Sequence, residues 1–174
     1  MPKIIENLKE QLLLETKRQI AERGYAKTTI RSIASGCGVG VGTVYNYFQS
    51  KEMLIGAFMY EEWKKYLEEM SALSQGDSKI FLKGVYDLLK AFAKHNEKLF
   101  SDPEATKIAS TGFAERHKIL RSQIASFVLP ICEKNQLDNP QFTAEFISES
   151  IIRWSMENKD FDELYSILEK IIKP

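Results

Sequence analysis

A chain of 174 residues, 44% hydrophobic and 11% aromatic, can bury a core, which excludes disorder and allows one domain or a small module joined to a larger one. No apolar run approaches the roughly 18 residues a bilayer span needs, and the start MPKIIENLKEQ lacks a signal-peptide pattern, so a soluble, cytoplasmic protein is expected. Net charge is zero, yet residues 1–51 carry eight Lys and Arg against four Glu and the remainder balances them, a modest asymmetry whose direction fits a nucleic-acid-facing amino end.

Residues 3–23 read as a first helix, with Ile5, Leu8, Leu12, Thr16 and Ile20 on one face. Its polar face mixes both charge signs, which argues against a membrane-surface helix. Gly24 is the expected stop and Tyr25 the side chain that fills the gap beneath.

In the next stretch Ile30, Ile33, Ala34 and Cys37 recur at helical spacing, with Thr28 placed as N-cap and Gly38 as the left-handed stop. Val41, Val44 and Phe48 form a second short stripe. Gly42, Thr43 and Asn46 are left outward, with Tyr45 and Tyr47 flanking. Two short helices around a glycine-bearing turn make a helix-turn-helix, whose second helix presents its first residues to the DNA major groove. Thr, Asn and Tyr suit phosphate or base-edge contacts, and glycines let the backbone come close. Ser50 is positioned to cap a third helix beginning at Lys51, a cation that opposes the helix dipole unless a phosphate lies beside it.

The pattern G-V-x-x-G-T-V-Y-x-Y-F-x-S-K, here Gly38 to Lys51, preceded by T-T-I-R-S-I-A, here Thr28 to Ala34, resembles the TetR family of bacterial transcriptional repressors. The resemblance covers the first third of the chain. It implies DNA contact by Thr28, Thr29, Arg31, Val41, Gly42, Thr43, Tyr45, Asn46, Tyr47 and Lys51. It also implies a C-terminal domain that takes an apolar or amphipathic small molecule. One departure is that Gly40 and Val41 stand where many members have Ser and a polar residue. A side-chain cap is lost there, and Val41 could read only an apolar feature such as a thymine methyl.

From Lys51 a helix is expected to run to about Met70. A polar break follows at Ser74 to Ser78, and then come helices over 78–97, from Asp102-Pro103, over 114–135, from Asn139-Pro140, and after Asn158 to Asp160. Pro130 should kink the helix over 114–135 and make room for a ligand. The expected fold is all-α with eight or nine helices: a helix-turn-helix DNA-binding domain, residues 1–50, and a helical effector-binding and dimerisation domain, residues 51–174. The last two helices would form a homodimer through broad apolar faces, holding two heads on a palindromic operator.

Candidate ligand residues are Tyr60, Trp63, Phe92, His95, Phe113, His117 and Trp154. Two isolated histidines and two cysteines 95 positions apart suggest no metal site, and no cofactor is expected. No phosphate loop, nucleophile motif or HExxH appears, so the expected function is regulation of transcription without catalysis. A helical protein-interaction module and a regulator without an effector are the alternatives.

Overall fold

The computed structural model describes residues 7–74, 76–112 and 114–173, the side chains of 108–117 excepted. The described residues form ten helices and no strand: α1 (Leu8–Lys27), α2 (Ile30–Gly36), α3 (Val41–Tyr47), α4 (Lys51–Ser71), α5 (Ser78–His95), α6 (Glu97–Phe100), α7 (Pro103–Gly112), α8 (Ala114–Lys134), α9 (Pro140–Met156) and α10 (Phe161–Ile172). The helix beyond the expected eight or nine is α6, a single turn. It is too short to show a period in sequence.

The helices gather into two compact units: Met1–Lys64 with Asn96–Gly112, and Lys65–His95 with Phe113–Pro174. In the first, Leu8, Leu12, Ile30, Ile33, Ala34, Val44, Phe48 and Leu54 form one apolar cluster, joining α1, α2, α3 and the start of α4. A second cluster of Ile20, Tyr25, Ile55, Phe58, Leu99 and Ala105 brings α6 and α7 against α1 and α4. Each aliphatic or aromatic side chain buried this way contributes about 1.5 to 3 kcal/mol of transfer free energy, so these clusters fix how the helix pair is held.

Several local expectations need correcting. Gly24, at φ 80 and ψ 174, breaks the helical path, but a further turn runs on to Lys27. The Thr28 amide closes that turn by donating to the Tyr25 carbonyl at 3.1 Å. Thr28 is fully buried and its hydroxyl donates to the Gly24 carbonyl at 2.8 Å, so it neither caps α2 nor reaches a phosphate. The cap is Thr29, whose side chain accepts from the Ser32 amide. Ile5 lies outside the described residues. Tyr25, as expected, is buried.

In the second unit, α8 and α9 form an antiparallel hairpin, with α5 and α10 both packed against α9 and against each other. Phe81, Leu82, Val85 and Leu89 of α5 are buried, as are Ile124 and Val128 of α8, Ile147 and Ile151 of α9, and Leu164 and Leu168 of α10. The Tyr86 and Phe161 rings meet at 5.3 Å. Ile119, near the start of α8, is 54% exposed. Asp102 caps α7 as its sequence position suggested, accepting from Glu104 and Ala105 amides at 3.0 and 3.1 Å. Asn139 instead takes a left-handed conformation with no side-chain cap, and Pro140 alone opens α9. Pro130 is accommodated inside α8. Cys132 is buried.

Candidate nucleic-acid interface

The helix pair is assembled by short-range hydrogen bonds on an apolar base. At the start of α2, the Thr29 hydroxyl accepts from the Ser32 amide at 3.0 Å while the Ser32 hydroxyl accepts from the Thr29 amide at 3.0 Å. This is a capping box with Ser in the place usually held by Glu. Ser32 also donates to the Gln19 side chain at 2.6 Å, and Gln19, itself buried, donates to Glu15 and to the Ser32 carbonyl. A polar chain therefore runs from α1 to the first turn of α2. The Arg18 guanidinium hydrogen-bonded to Glu15 holds that carboxyl below its ordinary range, with a further contribution from Gln19.

The C-terminal end of α2 closes as a Schellman motif. Val39 donates to the Ala34 carbonyl at 2.9 Å and Gly38 to Ser35 at 3.1 Å, with Gly38 at φ 65. A left-handed residue is what this turn requires, and glycine takes it without a Cβ penalty. Cys37 is half-buried, and its thiol donates weakly to the Gln11 carbonyl at 3.6 Å. Burial pushes that thiol up from its usual pKa, so packing rather than redox chemistry accounts for it.

After the turn, α3 begins at Gly40 with no side-chain cap, as its sequence implied. Val44 and Phe48 are buried against α1 and α2. Val41, counted in the inward stripe from sequence, is 36% exposed at the open end of the helix and so is available to an apolar base feature. Gly42 and Asn46 face solvent, Thr43 is half-buried among them, and Tyr45 and Tyr47 stand on either side at 49% and 48% exposed. An added Cβ at Gly42 would meet no protein atom within 4 Å. No close approach by another described residue therefore calls for a bare backbone there. Arg31 and Thr29 are exposed on the neighbouring first turn of α2.

Lys51 behaves differently. Its ammonium donates to the Tyr25 carbonyl at 2.7 Å and lies 3.5 Å from the Tyr25 ring centroid. The Ser50 hydroxyl accepts from the Met53 amide at 3.2 Å, capping α4 as expected.

These features match a family model described as bacterial regulatory proteins, tetR family, over residues 9–58. The match covers the head alone, residues 9–58. Similar proteins include the HTH-type transcriptional regulator YerO of Bacillus subtilis, 45% identical over 47 residues, 27% of this chain and 16% of that one. The HTH-type transcriptional repressor Rv1474c of Mycobacterium tuberculosis is 28% identical over 130 residues, 67% of this chain and 64% of that one. The chain thus spans less than two thirds of the length of these curated relatives. In fold it is similar to the fatty acid degradation regulator FadR from Bacillus halodurans, with a TM-score of 0.62 and 19% identity, covering 98% of this chain and 96% of that one.

The candidate ligand residues fall in both units. Tyr60, half exposed, and Trp63, buried, belong to the first unit. In the second, Phe92 is buried with the Tyr66 ring edge-on at 5.2 Å, and the Tyr66 hydroxyl is hydrogen-bonded to Nδ1 of exposed His95. Tyr66 is thus the residue that joins Phe92 and His95. Sequence spacing carried no signal for it, because the partners lie 29 positions apart. Trp154 donates its indole N–H to the Asp160 carbonyl at 2.6 Å under the Lys159 ammonium, closing the corner between α9 and α10. Phe113 and the side chain of His117 lie outside the described residues. Among those described, no group of His, Cys, Asp and Glu is arranged to hold a metal ion.

Proposed function

We propose that the protein is a transcriptional repressor that binds a palindromic operator as a homodimer and is released by a small molecule held in the domain of residues 51–174. The observation that carries this is the surface of α3. Gly42, Thr43, Asn46, Tyr45 and Tyr47 together make an outward face of small, polar and aromatic groups on a helix whose other side is locked by Val44 and Phe48. With Val41 at its tip and Thr29 and Arg31 beside it, this face has groove-reading and phosphate-holding groups within one short helix pair.

The homodimer is supported by α9. Phe142, Phe146 and Met156 are 69%, 49% and 49% exposed, and Glu149 and Arg153 lie between them at alternating four- and three-residue spacing. That is the seam spacing of a helix packed on another helix. Ile167 of α10 is 57% exposed as well. An acyl chain is the effector class that the description of FadR suggests, and it fits an apolar or amphipathic ligand. By linkage, effector and operator weaken each other's binding by the same factor.

Binding of random duplex DNA across a salt series tests the reading. If six or more phosphates are met, affinity should fall by about 10³ or more between 50 and 200 mM salt. Absence of salt-sensitive binding at every concentration would remove the regulator assignment. Long-chain fatty acids titrated into the operator complex should release it, and an unchanged complex at saturating lipid would exclude acyl chains as effector.

A further inference from the structure

Gln19 is a buried amide on α1, 1% exposed, outside the motif from Thr28 to Lys51. Its Oε1 accepts from the Ser32 hydroxyl at 2.6 Å, while Nε2 donates to the Ser32 carbonyl at 3.0 Å and to Glu15 at 2.6 Å. The amide nitrogen faces two acceptors and the amide oxygen a donor, so every contact has the polarity it needs. Ser32 is gripped through its side chain and its main chain at once. One turn earlier on α1, Glu15 underlies the other end of α2, where a Cβ on Gly36 would come within 2.1 Å of its Oε1. The apolar cluster that α1 and α2 share is non-directional, whereas hydrogen bonds constrain both distance and angle. The polar contacts therefore fix the direction in which the first turn of α2 points. That turn and its cap expose Arg31 and Thr29 and hold no acidic residue.

We propose that Gln19 is a positioning residue for DNA binding: acting through Ser32, it aims the start of α2 so that Arg31 reaches a phosphate and Thr29 lies beside it. The proposal rests on the DNA-binding reading above and adds to it a residue that touches no DNA. Ser32 is the link, since its hydroxyl also accepts from the Thr29 amide and its main chain directly follows Arg31.

Duplex binding by the full chain over a salt series, beside a thermal melt of each protein, tests it in wild type, Gln19→Met with Ser32→Ala, Arg31→Ala, and the three substitutions together. Replacing both partners of a hydrogen bond by apolar groups of like size leaves folding nearly unchanged, so the paired variant should melt close to wild type. Its affinity should fall about tenfold, and its slope of log K against log salt should become shallower by about 0.9, the signature of one lost phosphate contact. Arg31→Ala should do the same on wild type but cost roughly twofold or less once the pair is gone, as coupled groups do. A folded paired variant with wild-type affinity or wild-type slope overturns the proposal, and so does an Arg31→Ala loss of equal factor on both backgrounds. Should the paired variant fail to fold, Ser32→Ala alone carries the same comparison. Arg31→Ala must then cost less on that background than on wild type, and an equal cost overturns the proposal. Wild type that binds no duplex at all sinks the DNA reading itself, and is recognised before any substitution is compared.

Discussion

Tyr45 and Tyr47 are large rings that α3 leaves in solvent although its opposite side is buried. Neither hydroxyl is hydrogen-bonded to another described residue, so removing one should register in binding rather than in folding. Tyr47→Phe is expected to weaken duplex binding about tenfold or more, the worth of a hydrogen bond to a charged group, while the melting temperature stays put. Fluorescence anisotropy beside a thermal melt checks both halves. Glu15 shows the opposite dependence. Its carboxyl is held low by Arg18, so it contributes stability above the ordinary carboxylate pKa, and that contribution disappears as pH falls through the depressed value. Glu15→Gln should therefore lower the urea midpoint at neutral pH, and its difference from wild type should close in strong acid. Gly36 adds a second handle on that carboxylate. A Cβ there would come within 2.1 Å of Glu15 Oε1, so Gly36→Ala should push the side chain off its partners and reproduce part of the same loss.

At the scale of the elements, the helix pair was legible because its information is local. Two short stripes, a glycine at the left-handed turn and a capping threonine all lie within about two dozen residues, and each acts on neighbours three or four positions away. Gly38→Ala forces a Cβ into the left-handed conformation at φ 65 and should cost about 1 to 2 kcal/mol of stability, measured by urea unfolding. Gly24→Ala is expected to cost a similar amount at φ 80. What the pattern misplaced was the cap of α2, put on the first of two adjacent threonines. Both side chains are capable of it, and the choice fell to Thr29 only because the break at Gly24 and the extra turn to Lys27 carry Thr28 into the interior. The turn of α6 was invisible for a related reason. Four residues show no period, and the burial of Leu99 beside Ile20 and Tyr25 accompanies its formation.

For the whole molecule, the prediction that matters is the seam of α9. Phe146→Asp places a charge on an exposed position, so the folded chain should survive, but a homodimer built on that seam should dissociate into monomers in sedimentation experiments. Operator affinity should drop with it, by roughly a hundredfold or more if two linked half-sites give way to one. A variant that stays dimeric and binds as before would exclude the last two helices as the interface. Periodicity, turn glycines and the motif from Thr28 to Lys51 determined by themselves that the chain is helical, that it carries a helix-turn-helix head and that Gly42, Tyr45, Asn46 and Tyr47 face outward, but not that Thr28 is buried and Val41 exposed. These are properties of contacts a few residues apart. The tertiary structure alone decided that Lys51 turns to Tyr25, that α6 and α7 pack with the head, and that Tyr66 joins Phe92 to His95. Those pairings span from about two dozen to roughly eighty positions of chain, and hydrophobic burial, which has no preferred sequence separation, selects them only once the helices have packed.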